Sequence, residues 1–417
     1  MILPAGQRVS HYAASIALIF FMLCCFVVSI SVTLTVIAYL SAFLCILIAG
    51  GWQARWMDIK NNPAALSFWL IGLLFLIGAF YSTSTHQLIL HDLQKRHWLL
   101  ITPFLMTLLK RDSWRRRMVN AFLCAVIITV CFSYLQSVLG FRFVALLHIK
   151  TERSVIDIHS VFENHIIQSV VMNIGAFLCG YRFLFEKRGR TFYGIFFILL
   201  ALNILCMTHD RTGYGVFLII LLYLGALRFG AKGLLIAGVS FFIVATSAFY
   251  FSPGFQDRMK SVYSYVTHQK QAPVENSLAQ RTEMWKIAKK MIAVRPWFGY
   301  GTGGIRTALQ TVVPASERTL DPAIDYVESI YLNFLLEFGI VGLAVFFIAI
   351  AMQIKTSFSL SHEYRALMHI IFIVVLVGGL FNAFLVSSPI AHLYSLFSAI
   401  CFSGYQKNTW RGRYEIK

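Results

Sequence analysis

Asn276-Ser277-Leu278-Ala279-Gln280-Arg281-Thr282-Glu283-Met284-Trp285 and Arg295-Pro296-Trp297-Phe298-Gly299-Tyr300-Gly301-Thr302-Gly303-Gly304 belong to one long polar interval, from about Phe251 to Leu332, in a chain that otherwise runs as nearly continuous hydrophobic spans. Glu328-Ser329-Ile330-Tyr331-Leu332 closes that interval. Charged groups that act on polar substrates must stay outside hydrocarbon, so this is where such chemistry is expected. Hydrophobic residues make up 58% of the chain and charged residues 13%, against roughly a quarter charged in a soluble domain. The composition excludes a soluble globule and implies an all-α polytopic membrane protein.

Apolar runs near the ~20 residues needed to cross a bilayer recur at 12–28, 32–50, 64–82, 90–109, 118–140, 166–186, 191–208, 213–228, 233–251, 333–353, 366–387 and 391–405. This predicts about twelve transmembrane helices, the first nine within 1–251 and the last three within 333–405, with a long, partly helical loop over 252–332 and a tail over 406–417. The first two spans are separated only at Ser29–Ser31, and the fourth opens with Asp92, Lys95 and Arg96, charges that imply entry through the membrane interface. Lys and Arg in short loops set orientation. Arg55 and Lys60, then Lys110, Arg111 and Arg115–Arg117, then Lys187, Arg188, Arg190, Arg228, Lys232, Lys355, Arg365, Arg411, Arg413 and Lys417 fall on one side when twelve spans are drawn. Both termini are therefore expected in the cytoplasm and the long loop outside it. The first apolar run has no small-residue cleavage site, so no cleavable signal peptide is expected.

All eight cysteines (Cys24, Cys25, Cys45, Cys124, Cys131, Cys179, Cys206, Cys401) fall inside predicted spans without metal-ligand or disulfide spacing and read as apolar fillers. Ten of the 36 basic residues (Arg258, Lys260, Lys270, Arg281, Lys286, Lys289, Lys290, Arg295, Arg306, Arg318) sit in the long loop, against the usual inward bias, in a chain of net charge +18. A basic surface there fits a phosphorylated lipid or glycolipid substrate, or anionic headgroups bound without catalysis. No nucleic-acid partner is expected.

Within the loop, Asn276 is a good N-cap, and helical periodicity runs over Ser277–Val294 until Pro296 ends it. At ~100° per residue, Arg281 shares a side with Met284, Trp285, Ala288, Met291 and Ile292, while Glu283, Lys286, Lys289 and Lys290 lie opposite. An arginine on the apolar side either meets an anion or carbonyl groups or snorkels to headgroups. The run Gly299–Gly304 offers backbone N–H groups to a phosphate, or simply turns the chain. It lacks the Lys-Ser/Thr end of a nucleotide loop and the strand context of a dinucleotide fold, which favours the turn. Thr208-His209-Asp210-Arg211-Thr212-Gly213-Tyr214 puts an arginine at the outer end of a helical hairpin, as an anion site or as an Asp210–Arg211 boundary pair. Phe162-Glu163-Asn164-His165-Ile166-Ile167-Gln168 opens the sixth span with a polar cluster.

These segments together resemble the O-antigen ligase and polymerase family of bacterial envelope glycan enzymes. Phe162-Glu163-Asn164-His165-Ile166 resembles the family's Phe-x-Asn-His-Ile opening, and Asp210-Arg211-Thr212-Gly213-Tyr214 its Arg-Thr-Gly-Tyr motif. Gln280–Trp285 followed by Arg295–Gly301 resembles its Arg-x-x-x-Trp helix and Pro-x-x-Gly-x-Gly turn, and Tyr331–Leu343 is similar to the helix that closes the loop. Each motif alone is weak; their order and spacing are specific. One departure stands out. Where ligases of the family carry His-Asn-x-Tyr-Leu, with the histidine as proposed general base, this chain has Glu328-Ser329-Ile330-Tyr331-Leu332, and no histidine lies between His268 and His362. Either Glu328 takes the role, or His268 or His165 supplies it, or the activity is altered. A glutamate can accept a hydroxyl proton if partial burial raises its pKa, which makes Glu328 the preferred candidate over a boundary acid paired with loop arginines.

The resemblance implies an inverting glycosyltransferase of the bacterial inner membrane that moves a glycan from undecaprenyl pyrophosphate to a lipid A–core hydroxyl on the periplasmic face, surrounded by membrane lipids. Arg281 and Arg211 would stabilise the leaving pyrophosphate and Glu328 would deprotonate the acceptor. Lys286, Lys289 and Lys290 would hold acceptor phosphates, and Arg295, Asn164, His165 and Tyr331, which stand in the matching motifs, are expected to bind substrate. No Asp, His or Cys cluster has metal-site spacing, and neither a metal nor a cofactor is implied. Two alternatives stay open: a polymerase acting on lipid-linked repeat units, and a lipid or solute transporter. Against the transporter, the spans lack paired Gly/Pro-broken segments and buried carboxylates.

Overall fold

Backbone polar groups in hydrocarbon must be satisfied within their own segment, which makes helices of the apolar runs. A computed structural model describes residues 5–139, 160–267, 277–314 and 324–405, and all the regular elements there are helices. Asn276, His268, Lys270, Arg318, the outer segment 141–159 and the tail residues Arg411, Arg413 and Lys417 lie outside the described residues. In chain order the helices are α1 (Ala5–Val27), α2 (Val32–Ala49), α3 (Trp52–Lys60), α4 (Pro63–Phe80), α5 (His86–Lys95), α6 (His97–Met106), α7 (Asp112–Leu139), α8 (His165–Phe185), α9 (Arg190–Cys206), α10 (Arg211–Phe229), α11 (Ala231–Phe251), α12 (Pro253–Thr267), α13 (Ser277–Val294), α14 (Ile305–Val312), α15 (Ile330–Ser357), α16 (His362–Gly378) and α17 (Ser388–Phe402). Among the described residues eight helices are long and apolar enough to cross a membrane, and α9 and α17 are shorter apolar helices. The chain is a multi-pass membrane protein.

Local chemistry explains the breaks. Ser31 separates α1 from α2 and caps the latter, its Oγ accepting from the Leu34 N–H at 3.4 Å. Pro63 opens α4 behind the Asn62 cap. The expected span over 90–109 is not one helix. It is two ten-residue helices, α5 and α6, meeting at Arg96, because the Asp92, Lys95 and Arg96 charges gather where they can be paired. The expected span over 366–387 also stops early, at Gly378, and residues 379–387 form a connector to α17.

Aromatic side chains fill the centre, with Phe68, Trp98, Tyr394 and Phe346 fully buried. Buried hydroxyls join helices there: the Tyr39 hydroxyl lies 2.7 Å from Ser395 Oγ and 3.2 Å from Thr102 Oγ1. At one end of the bundle, the Arg116 guanidinium lies 3.5 Å from Glu363 and 4.0 Å from Glu186, and Lys110 lies 2.7 Å from Asp58. The basic short loops thus share an end.

The polar interval occupies the other end and has a small core of its own, made by Ile287, Ala288, Met291, Tyr300, Ile305, Leu309 and Val327 against Leu336 of α15. It is fastened to α15 through a helix break. Gly339 has φ 63° and ψ −161°, a conformation for glycine alone. There the helix exchanges backbone bonds with the glycine-rich turn: Ile340 and Val341 N–H donate to the carbonyls of Pro296 and Trp297, and Tyr300 and Gly301 N–H donate to those of Leu336 and Glu337. Thr302 N–H reaches the Gly78 carbonyl, Gly303 N–H reaches Glu337 Oε1 at 3.0 Å, and Gly304 N–H reaches the Gly301 carbonyl. The turn reading of this run is the one the geometry supports. Gly299, Gly301 and Gly303 all have positive φ, and the amides from Tyr300 to Gly304 are engaged inside the protein rather than turned toward an anion.

Candidate functional site

The site is assembled at this loop end from four segments that are far apart in sequence. On α13, Ile287, Ala288 and Met291 are buried while Lys286, Lys289 and Lys290 are exposed, so Arg281 leans with the buried side as its periodicity requires. Its Nη2 donates to Asn382 Oδ1 at 3.0 Å. Asn382 is itself buried; its Nδ2 donates to the Gly378 carbonyl at 3.1 Å and to Thr212 Oγ1 at 3.4 Å. One amide therefore links the arginine of α13 to the Arg211-Thr212 segment that opens α10.

That opening is a capped helix start. Asp210 Oδ1 and Oδ2 accept from the Thr212 and Gly213 N–H groups at 3.1 and 3.0 Å. Burial pushes the Asp210 carboxyl above its usual range; the Ser169 hydroxyl, the His165 charge and the two capped amides pull it back. Arg211 follows as the first, half-buried residue of α10. The Asp210 side chain thus caps the helix end that presents Arg211.

Glu328 stands one residue before the Ser329 cap of α15. Desolvation raises its carboxyl above the ordinary 4.5, opposed by the positive charge of Arg281 and by the nearby backbone N–H of Ala383. The carboxylate, Arg281 and the 379–387 connector therefore form one electrostatic unit. A cavity of about 230 Å³ opens beside it, bordered by Glu328, Asn382, Ala383, Ser387, Asn164 and Lys95. Asn164 reaches it as the N-cap of α8, its Oδ1 accepting from the Ile167 N–H at 3.0 Å, with His165 next in line. Lys95 is paired with Asp325 at 2.9 Å.

Other expected site residues lie apart from the cavity. Lys286 pairs with Glu283 at 3.1 Å on the exposed side of α13, and Lys289 and Lys290 share that exposed side. Arg295 is exposed with its guanidinium 5.3 Å from the Tyr300 ring centre. The Tyr331 hydroxyl donates to the Leu376 carbonyl at 2.7 Å and its ring stacks on Phe347, so it braces α15 against α16. His268, the other base considered, is outside the described residues.

Sequence reading missed Asn382 and Lys95. The signal for the first was an amide breaking the apolar run Leu380-Phe381-Asn382-Ala383-Phe384, a polar group that hydrocarbon would not tolerate unpaired. Trp285 stacks on Phe381 at 6.0 Å and 21°, one turn from Arg281 and one residue from Asn382.

A search of curated proteins finds no match for the chain. Residues 196–347 match the family model described as O-antigen ligase, a span that holds Arg211, Arg281, the glycine-rich turn and Glu328. Over those residues, with the polar loop and the helices that flank it, the chain is similar to the O-antigen ligase family.

Proposed function

We propose that the protein is a glycosyltransferase of the bacterial inner membrane that joins a glycan carried on undecaprenyl pyrophosphate to a sugar hydroxyl of lipid A–core at the periplasmic face. The observation that carries this reading is the path from Arg281 through Asn382 to Thr212, which brings the two arginine motifs together beside a half-buried carboxylate and a cavity.

In the reaction, the acceptor hydroxyl gives its proton to a Glu328 oxygen as its own oxygen bonds to the anomeric carbon. The bond from that carbon to the pyrophosphate oxygen breaks, and its electron pair leaves with the pyrophosphate. Charge building on the leaving oxygen is met by Arg281 and Arg211, whose guanidinium N–H pairs suit phosphate oxygens and act without a metal ion. One displacement inverts the anomeric centre. Asn164 and His165 border the reacting sugars, Lys286, Lys289 and Lys290 face acceptor phosphates, and Arg295 and the Tyr331 ring flank them from outside the cavity. The basic-loop end of the bundle faces the cytoplasm together with both termini.

The replacement of the family's histidine by Glu328 favours a second reading, a polymerase that extends lipid-linked repeat units by the same displacement. The lipopolysaccharide of a deletion strain separates the two. Rough lipopolysaccharide with long polymer accumulated on the lipid carrier marks the ligase, a core bearing a single repeat unit marks the polymerase, and normal banding counts against both.

A further inference from the structure

Arg96 does not touch the cavity, yet it is the most deeply buried cation near it, with 6% of its surface exposed. It sits at the junction of α5 and α6, and each of its contacts leads to a different element. Its Nη2 lies 3.2 Å from Asp92 Oδ1 in α5 and 3.9 Å from Glu337 Oε2 in α15. Its Nη1 donates to the Leu385 carbonyl at 3.2 Å, and its guanidinium lies 4.4 Å from the Phe75 ring centre in α4. The other Glu337 oxygen accepts from Gly303 in the turn.

Leu385 belongs to the 379–387 connector. Three residues earlier stands Asn382, which holds Arg281. A buried ion pair is a poor way to gain stability, because desolvation offsets most of the attraction and an apolar packing often does as well. It does fix geometry, since a planar guanidinium joins three elements only in one arrangement.

We infer that Arg96 is a positioning residue for transfer: through the Leu385 carbonyl and Glu337 it sets the connector against α15 and the turn, so that Asn382 presents Arg281 in reacting register. The inference rests on the proposed transferase reading. Its consequence is that the influence of Arg96 on the rate passes through Asn382.

A double-mutant cycle on purified full-length protein, assayed with a lipid-linked glycan donor, tests it. Arg96→Lys alone should lower kcat by about 10²-fold, the scale of a misplacement near 1 Å, with donor KM within a few fold of the parent. In an Asn382→Ala background, where the register is already lost, the same change should cost only a few fold. Independent, multiplying losses would overturn the inference, as would an Arg96→Lys protein with parental kcat. If Arg96→Lys does not fold, Glu337→Gln, nearly isosteric and still able to accept from Gly303, runs the same cycle under the same criteria. A parent protein that transfers no glycan removes the proposed function and this inference with it; a parent that transfers, with an additive cycle, removes the inference alone.

Discussion

Glu328 carries the sharpest consequences at the scale of one residue. A base must be deprotonated to act, and burial holds this carboxyl above the ordinary 4.5, so transfer should decline on the acid side along a limb whose midpoint lies above that value. Glu328→Gln should abolish that limb and reduce the rate by roughly the 10²–10⁴-fold typical of general-base assistance; Glu328→His should recover part of it by placing the family's imidazole in position. A glutamine variant with a rate within a few fold of the parent would exclude Glu328 as base and turn attention to His165 and His268. Stability moves the other way. The folded-state pKa lies above the unfolded one, so the carboxyl's contribution is full below the unfolded value and is lost as pH rises through the folded one. Glu328→Gln should therefore melt no lower than the parent at neutral pH, with a difference in melting temperature that is larger at about pH 8 than at about pH 5. Arg281→Lys keeps the charge but loses the fork that reaches Asn382 and a phosphate oxygen together, and should lower kcat by about 10²–10³-fold. Near-parental kcat for that variant would leave Arg281 with an anchoring role only.

Among the elements, the break in α15 and the glycine-rich turn act as one joint. A side chain at Gly339 would meet the Trp297 backbone as well as a forbidden conformation, so Gly339→Ala should cost at least about 1–3 kcal/mol and lower the melting temperature. Gly215, in α10 with open space around it and no positive φ, is the control: Gly215→Ala should not lower it. The turn itself was legible in the sequence, because the run Gly299–Gly304 lacks the Lys-Ser/Thr end and the strand context of a phosphate loop. The side of α13 that carries Arg281 was legible too, from periodicity. The joint was not, since nothing in Glu337-Phe338-Gly339 says that a helix will break and trade its carbonyls with a segment 40 residues earlier. Arg96 and Asn382 were hidden for a related reason: each sits in or beside an apolar run, and what pairs it comes from a helix that local pattern cannot identify. The one-helix reading of 90–109 failed at Arg96, where long-range pairing overrides hydropathy.

For the whole molecule, the gathering of Lys110, Arg115 and Arg116 at one end and of Arg281 and Glu328 at the other makes a single topology test decisive. After replacement of the eight native cysteines, all of them free thiols, a cysteine at position 116 should resist an impermeant thiol reagent in intact cells, and one at position 281 should be labelled. Labelling at 116 with protection at 281 would reverse the orientation and remove the site from the compartment proposed for it.

The joint at Gly339 also bears on how the protein is made. The polar loop is synthesised before the helix whose carbonyls its turn requires, so on emerging from the translocation machinery it has no partners for the Tyr300 and Gly301 amides until residues 336–341 have been inserted. On the proposed orientation the loop waits outside the membrane with its turn unformed. Chains stopped before Ile330 should then leave it open to added protease in spheroplasts, and chains stopped after Ser357 should protect it, which would make the loop end the last part of the molecule to mature and the part most exposed to envelope quality control.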